Sequence, residues 1–294
     1  MKSKVWSVGL FAENNDIFEQ PFTNMMKVFN AKKIRNSKRH IHTYADPFLF
    51  VYNDELYIFL EIQEVHGYGY IHVWKTADLI NWQDKGIVLK ESFHLSYPFV
   101  FRDQKSGKIY LLPESSQAGK TYLYEFEEFP TKLIKKNLLL TGKYVDSSIY
   151  QKDGIYYLIT TDFSTGRLHL FCSNDLNNSD WKTHPLSPLS DNPLISRNGG
   201  GFVAIEDKLY RIAQNGQTKY GEGIVILEVC KLTPETYEEH IIIKDFTPTN
   251  QKWQRDGRHH FSIAKFRGKN IIAIDGLQDD FLFNKALNLI YKFI

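Results

Sequence analysis

The chain has 294 residues, of which 43% are hydrophobic and 15% aromatic, so it can bury a substantial core. Its 36 Lys and Arg residues against 34 Asp and Glu give a formal net charge of +2. This balance argues against an extended nucleic-acid interface, and we expect no nucleic-acid partner.

The N-terminal apolar run from Val5 to Ala12 is too short for a signal peptide or a membrane span. The two cysteines, Cys172 and Cys230, have neither metal-site nor disulfide spacing. We interpret both as small buried hydrophobic residues in a reducing compartment. The sequence therefore predicts a cytoplasmic protein with no membrane span.

A hairpin pattern runs from His42 to Glu61. Its first strand opens on the acid–proline pair Asp46-Pro47, a polar turn follows at Asn53-Asp54, and its second strand ends in the carboxylate of Glu61. Strands rich in aromatic and β-branched residues on either side of an Asn/Asp turn are typical of a β-hairpin.

The same pattern recurs four times, with first strands that begin near Tyr97, Asp146, Gly200 and His260. The spacing of roughly 45–60 residues is close to the ~40–50 of one four-stranded propeller blade. No segment has a sustained period of about 3.6 residues, so little helix is expected. The sequence predicts an all-β fold, a five-bladed β-propeller, as one domain over residues 1–294.

The five blades are predicted near residues 44–82, 95–130, 145–181, 198–232 and 258–294. The apolar end pieces 5–11 and 289–294 are expected to close the ring, because closure removes exposed strand edges. The less regular stretch from Glu13 to Arg39 is expected to form loops over one face.

The innermost strand of each propeller blade lines the central channel, so the strand starts meet at one face. Those starts carry Asp46, Tyr97, Asp146, the run Asn198-Gly199-Gly200-Gly201 and His259-His260, and the second strands end at Glu61, Glu114, Asp162, Gln214 and Asp275. This pattern predicts one polar pocket. A carboxylate at a strand end also often caps a turn, and Asp162 and Asp275 fit that alternative best.

Several of these positions favour a particular geometry. Pro47 biases Asp46 towards extended backbone, which would aim its side chain into the channel. Adjacent strand residues face opposite ways, so His259-His260 predicts one channel-facing hydrogen-bonding group with a packed neighbour rather than a metal pair. Arg197 fits an anion or hydroxyl clamp, or equally a surface salt bridge. No metal and no cofactor are predicted.

Ala45-Asp46-Pro47-Phe48 and the segment from Val145 to Leu158 resemble the acidic strand motifs of the five-bladed arabinanase/levansucrase glycosidase superfamily. A closer resemblance is to the propeller domain that precedes the transferase domain in plant glucosamine inositolphosphorylceramide transferases, and that is sometimes joined to formyltransferases in bacterial relatives. The matching segments are 95–101, 110–116, 145–148, 181–185, 210–214 and 220–221.

The resemblance implies a carbohydrate ligand. In the superfamily pattern Asp46 would be the base or nucleophile and Asp146 the orienting acid, while the general acid is a Glu at the start of the next inner strand. This chain has the run Asn198-Gly199-Gly200-Gly201 there. Glu114 would then supply the missing acid, since the apolar segment Leu111-Leu112-Pro113 beside it would favour a protonated carboxyl.

The first functional hypothesis is a carbohydrate-active enzyme that transfers or cleaves a glycosyl unit in bacterial surface-glycan biosynthesis, associated with other glycan-assembly enzymes. Its predicted catalytic residues are Asp46, Asp146 and Glu114, and its predicted residues for binding a carbohydrate or activated sugar are Tyr97, Ser116, Arg197, Gln214, Tyr220 and His260. A non-catalytic glycan-binding module and a protein-interaction scaffold are the alternatives.

Overall fold

The computed structural model describes residues 4–13, 18, 22–30, 41–64, 67–177, 180–247, 249 and 251–279, and twenty β-strands account for most of them. The first six strands are β1 (Lys4–Glu13), β2 (Met25–Asn30), β3 (Ile41–Tyr52), β4 (Glu55–Glu64), β5 (Tyr70–Thr76) and β6 (Trp82–Leu89). The next eight are β7 (Ser96–Arg102), β8 (Ile109–Glu114), β9 (Lys120–Glu128), β10 (Lys132–Thr141), β11 (Tyr144–Lys152), β12 (Ile155–Asp162), β13 (Arg167–Ser173) and β14 (Lys182–Thr183). The last six are β15 (Arg197–Ile205), β16 (Lys208–Asn215), β17 (Gly223–Leu232), β18 (Tyr237–Ile243), β19 (Phe261–Phe266) and β20 (Lys269–Asp279). No α-helix occurs in the described ranges.

The strands form five antiparallel blades around a common axis, and blades one and five belong to one continuous sheet because β1 also bridges to β3. Blades one to four follow chain order, as β3-β4-β5-β6, β7-β8-β9-β10, β11-β12-β13-β14 and β15-β16-β17-β18. The fifth blade is β19-β20-β1-β2. Each innermost strand contacts that of the next blade, and β19 of the fifth blade contacts β3 of the first. The predicted all-β, five-bladed propeller is therefore confirmed.

The first strand of the chain completes the last blade. β1 pairs with β20 from Lys4 opposite Asp279 to Glu13 opposite Asn270, and it also forms a parallel bridge from Trp6 to Thr43 of β3. The N-terminal strand expected at residues 5–11 lies within β1. Its expected partner at residues 289–294 lies outside the described residues.

Outer strands differ from the sequence-based expectation. β2 lies within the stretch expected to form loops, and β10 and β18 lie beyond the predicted ends of blades two and four. Outer strands have one solvated face, so their apolar pattern is weak. β18, for example, contains no fully buried side chain.

Tight turns fix the register of the inner hairpins. Asn53 and Asp54 have φ of 49° and 56°, and Asp153-Gly154 at the β11–β12 turn has 50° and 77°. Two consecutive positive φ angles are the mark of a type I′ turn, whose twist matches that of paired strands. With this register Ala45 faces Glu61 across β3 and β4, so first-strand starts and second-strand ends share one face of the propeller.

Candidate active site

Among the described residues, four inner strands carry a β-bulge close to their starts, at the face where the polar residues meet, and in three of them the bulge contains a non-glycine residue with positive φ. The registers of β3, β7 and β11 against their neighbours shift around Asp46, Tyr97 and Asp146. These three residues have φ of 49°, 45° and 52°. Such left-handed backbone costs of order 1–3 kcal/mol and is concentrated at functional sites, where a bulge redirects a side chain. The extended geometry expected for Asp46 before Pro47 is therefore wrong, and the bulge aims the carboxylate instead.

Asp46 lies at the bottom of the site, only 4% exposed. Its Oδ2 accepts a hydrogen bond of 3.1 Å from the backbone N–H of Tyr97. Its Oδ1 lies 3.4 Å from Nε2 of His259 and 3.5 Å from Nδ1 of His260. Burial on its own would raise the pKa of Asp46, but the imidazoles of His260 and His259 lower it below the ordinary range of an aspartate. Asp46 is therefore an ionised carboxylate.

Asp275 holds the two histidines in place. It is fully buried, and its Oδ1 accepts the backbone N–H groups of His259 and His260, each at 2.9 Å. Its Oδ2 lies 2.6 Å from Nδ1 of His259. Burial would lower the pKa of His259, but the charge of Asp275 outweighs it and raises the pKa.

Two expectations are corrected by this cluster. Asp275 is an internal anchor for the site rather than a turn cap, whereas Asp162 does cap its turn by accepting from Ser164 N at 2.8 Å. His259 and His260 were expected to face opposite ways, but both face Asp46. They precede β19 and are therefore not subject to the alternation of a regular strand.

Glu61, at the middle of β4, is a second buried carboxyl next to Asp46. It is 7% exposed, and its Oε1 lies 3.4 Å from Nε2 of His94. Burial, together with the charges of Asp46 and Glu114, raises the pKa of Glu61 well above its usual value. A protonated Glu61 therefore donates a hydrogen bond to the ionised Asp46.

Glu114, at the end of β8, is partly exposed at the side of the same pocket. Its Oε2 accepts a 2.9 Å hydrogen bond from the Ser96 hydroxyl, and its Oε1 accepts one of 2.5 Å from the Ser116 hydroxyl. The apolar surroundings expected for Glu114 are therefore wrong, because two hydroxyl donors contact its carboxylate. Leu111 and Leu112 are buried in the core.

Asp146 forms the opposite side of the site, on β11. Its Oδ2 accepts hydrogen bonds from Nε of Arg197 at 2.5 Å and from Nε2 of Gln214 at 3.0 Å. Burial raises the pKa of Asp146 to about 6, with the Arg197 charge opposing the shift and the charges of Glu114 and Asp46 adding to it. This carboxyl can therefore change its protonation state close to neutral pH.

Gly199 and Gly200 of blade four leave no space for a side chain in the run where the superfamily pattern implies an acid. A Cβ atom added to Gly199 would lie 2.4 Å from the His259 carbonyl oxygen, and one added to Gly200 would lie 2.2 Å from that of Phe261. The Asn198 amide instead donates to the carbonyl oxygen of Asp146 at 2.8 Å. The glycine run therefore lets blade four pack closely against the start of blade five.

These side chains enclose one funnel pocket of about 370 Å³ at the axis. Its lining includes the carboxyls of Asp46, Glu61, Glu114 and Asp146, the bases Arg197, His94 and His259, and the side chains of Ser116, Trp6, Tyr220 and Phe163. The three predicted catalytic carboxylates are therefore brought together, and Ser116, Arg197 and Tyr220 line the same pocket.

Other predicted binding residues have supporting positions. Tyr97 and His260 have no exposed surface, so they support Asp46 from below rather than reach a ligand. The Tyr97 hydroxyl accepts the backbone N–H of Gly200 at 3.1 Å. Gln214 is buried against Asp146 and reaches only the neighbouring cavity.

One group of side chains approaches the geometry of a cation site. Ligand atoms of Asp46, His259 and Asp275 lie within 4.8 Å of one another, and all three residues are buried. The carboxylates of Asp275 and Asp46 raise the pKa of His259, which favours its protonated form, and a protonated His259 would have to lose that proton before it could bind a cation. The contacts are those of a hydrogen-bonded ion cluster.

Sequence reasoning placed Glu61 and His259 among the polar strand ends but assigned neither to the catalytic or binding residues, and it did not identify His94. Glu61 occupies the same position in its hairpin repeat as Glu114 does, and this repeated position was the signal in the sequence that could have identified it. His94 lies in the segment before β7, outside the repeated hairpin pattern, so the repeats gave no signal for it. Its contacts are made with residues distant in sequence, such as the 3.0 Å hydrogen bond that it accepts from Gly69 N.

Comparison with known proteins places the chain in a family. The family model described as glucosamine inositolphosphorylceramide transferase 1, N-terminal, matches residues 4–277. The transferase of that name from Arabidopsis thaliana is 30% identical over 300 residues, covering 92% of this chain and 39% of the relative. The one from Oryza sativa subsp. japonica is 32% identical over 243 residues, covering 78% of this chain and 32% of the relative. The chain thus spans well under half the length of these relatives.

Two solved structures with the same fold are those of glycoside hydrolases. An α-L-arabinofuranosidase from Clostridium thermocellum has a TM-score of 0.57 at 17% identity, covering 81% of this chain and 82% of that one. A family 117 glycoside hydrolase from Zobellia galactanivorans has a TM-score of 0.57 at 12% identity, covering 91% and 90%. Across the described ranges, no helix has the length and apolar character needed to cross a bilayer. By the family model and the plant relatives, the chain belongs to the family of glucosamine inositolphosphorylceramide transferase 1 N-terminal domains.

Proposed function

We propose that this propeller is a carbohydrate-active enzyme that binds a glycosyl unit in the funnel pocket and transfers or cleaves it. The observation that carries the proposal is the concentration of four carboxyls in one concave pocket, with ionised Asp46 beside protonated Glu61. Carboxyl groups whose environments separate their pKa values are the arrangement that acid–base chemistry requires.

Asp46 is the base in this proposal. Its negative charge is stabilised by the Tyr97 N–H and by His259, which keeps the carboxylate ionised, and in this ionised form it can orient a hydroxyl or water and accept its proton as that nucleophile attacks. Glu61 contacts Asp46 directly, and the two therefore cannot lie on opposite sides of one glycosidic bond, where the carboxyls are about 5 Å or more apart.

The proton donor across that bond is then Glu114 or Asp146. Glu114 has the hydroxyl of Ser116 beside it, and Asp146 has a pKa raised to about 6. Either carboxyl lies in the same pocket as Asp46. In this scheme the protonated Glu61 stays a neutral neighbour of Asp46, so the two adjacent carboxyls carry a single negative charge.

The family relationship supports a role in glycan assembly. The plant relatives are named as transferases of glucosamine inositolphosphorylceramide, and the chain corresponds to between about a third and two fifths of their length. We therefore extend the proposal to a biosynthetic role on an activated sugar in the cytoplasm, in association with other glycan-assembly enzymes that supply the remaining steps.

A glycan-binding module without catalysis is the second candidate. The observation that favours it is the tight packing of Gly199 and Gly200, which leaves blade four without an acid. The polar funnel pocket gives no support to the third alternative, a scaffold that binds only through its outer loops.

The test combines binding and turnover on the full chain. Titration calorimetry against glycosides and nucleotide sugars measures binding, and chromatography of the products measures turnover. We expect Asp46→Asn to keep binding within about threefold and to lose turnover by about 100-fold or more, the usual scale of general acid–base catalysis. Glu114→Gln and Asp146→Asn identify the donor, since the same loss is expected for only one of them. Binding without turnover of any sugar would favour the binding module, and no binding at all would contradict both candidates.

A further inference from the structure

A second cavity of about 270 Å³ lies beside the funnel pocket and has no role in the proposed proton transfers. It is formed by the turn after β12, the segment before β15 and the loop between β16 and β17. Both cavities are lined by Val145, Phe163, Arg197 and Tyr220. A ligand in the funnel pocket can therefore extend past Arg197 into this second cavity.

The two cavities differ in charge. Four carboxyls line the funnel pocket, whereas none lines the second cavity among the residues that the structure describes. Of the described residues that line the second cavity, Arg197 alone is charged, and the others include neutral groups such as Thr161, Ser196 and Gln214. A negatively charged part of a ligand is therefore attracted to the second cavity and repelled from the first.

Arg197 is held in a fixed orientation. Its Nε donates to Asp146 at 2.5 Å, and its guanidinium carbon lies 5.1 Å from the ring centroid of Tyr220. Neither terminal nitrogen forms a hydrogen bond within the described part of the chain, and the side chain is 27% exposed. A planar guanidinium with its two terminal groups available binds a carboxylate or a phosphate through two parallel hydrogen bonds.

Aromatic rings form the walls next to this guanidinium. Phe163 is 61% exposed and Tyr220 is 44% exposed, and both border the two cavities. The turn that carries Phe163 is anchored, because its backbone N–H donates to the Lys143 carbonyl oxygen at 2.9 Å. Apolar walls with a few fixed polar groups are typical of small-ligand sites.

We propose that the second cavity is an oxyanion-binding subsite for an acidic glycan. Arg197 binds a carboxylate or phosphate carried by the unit next to the one at Asp46, while Phe163 and Tyr220 pack against that unit. The inference rests on the proposed carbohydrate site and adds a ligand class to it, namely glycans with a uronic acid or a sugar phosphate.

The test uses charged and neutral probes of nearly equal shape. Methyl glucuronide is compared with methyl glucuronamide, and glucose 1-phosphate with methyl glucoside, by titration calorimetry at low and high salt. We expect the charged member of at least one pair to bind about tenfold more tightly, since charge-assisted hydrogen bonds are about twice as strong as neutral ones. The preference should decrease as salt is added. A preference in the first pair identifies a uronic acid and one in the second a phosphate.

Two variants measure the contribution of the Arg197 guanidinium to this preference for charged sugars. Arg197→Gln alone would leave Asp146 buried without its counter-ion, so the informative variant is the double change Arg197→Gln with Asp146→Asn. Asp146→Asn alone retains Arg197 and is the matched control. We expect the double variant to bind charged and neutral probes equally and the control to keep the preference. Unfolding curves of the two variants verify that both are folded.

The outcomes separate this inference from the proposed function. Equal binding of charged and neutral sugars by the wild type, or a preference that survives in the double variant, would overturn the subsite and leave the proposed carbohydrate site standing. Absence of binding for every sugar, neutral ones included, would overturn both.

Discussion

Replacing Glu61 by Gln should stabilise the protein at neutral pH and have little effect at acidic pH. Burial and the charges of Asp46 and Glu114 raise the pKa of Glu61 in the folded protein, whereas an unfolded chain has the ordinary value of about 4.3. Above that pH the folded state binds more protons than the unfolded state, so the wild type loses stability as pH rises, until Glu61 ionises in the folded state. Gln has no proton to lose, and this pH-dependent loss is absent from the variant.

The size of the effect follows from the same linkage. Each pH unit between the two pKa values removes about 1.4 kcal/mol from the free energy of unfolding of the wild type. The groups that face Glu61 are the carboxyls of Asp46, Glu114 and Asp146 and the imidazole of His94. An amide at position 61 can still donate to Asp46, as the protonated carboxyl does, so the fold is retained.

Urea unfolding of the wild type and of Glu61→Gln between pH 4 and pH 8 measures this difference. The free energy of unfolding of the variant should exceed that of the wild type by roughly 1.4 kcal/mol more for each pH unit above about 4.3, up to the pH at which Glu61 ionises in the folded state. Glu206→Gln, at an exposed hairpin turn, is the control and should follow the wild type. Parallel curves for Glu61→Gln and the wild type would refute a protonated Glu61.

Three further substitutions test the structure around the site by urea unfolding. Asp275→Ala should cost about 3–5 kcal/mol, because it leaves two buried N–H groups without an acceptor and removes the nearer of the two carboxylates from His259; a loss below about 1 kcal/mol would contradict the anchoring role. Gly200→Ala should cost at least about 2 kcal/mol more than Gly154→Ala, since its Cβ would lie 2.2 Å from a backbone oxygen whereas Gly154 faces open space; equal losses would contradict the close packing of blade four. Arg211→Met should cost about 3–5 kcal/mol by removing the counter-ion of the largely buried Glu239, which would keep its hydrogen bond from the Tyr237 hydroxyl, and adding Glu239→Gln should recover part of that loss; no recovery would argue against a buried ion pair.

The sequence predicted the repeated hairpins because their turns and apolar strands are local features. Asn53-Asp54 determines a type I′ turn from two adjacent residues, and the alternation after it determines which face is buried. The outer strands β2, β10 and β18 were missed or truncated because solvated edges need little apolar patterning.

The sequence predicted which strand ends form the site, but it did not predict the hydrogen bonds and charges that connect their side chains. Counting repeats brought Asp46, Asp146 and Glu114 to one face, where the structure has them lining one pocket. The repeats contained no information on the bulge that turns Asp46 or on the proton that Glu61 retains. Both features depend on packing between blades that are far apart in sequence, such as the 3.1 Å contact from Tyr97 N to Asp46.

Difference density from crystals soaked with furanose and pyranose sugars and nucleotide sugars is the most direct test of a carbohydrate site at Asp46. We predict a sugar in the funnel pocket, with a hydroxyl within hydrogen-bond distance of Asp46 and contacts to Arg197 and Tyr220. Soaks of Asp46→Asn crystals should retain the same position. An empty funnel with every sugar, or sugars bound only on the outer surface, would contradict the proposed function.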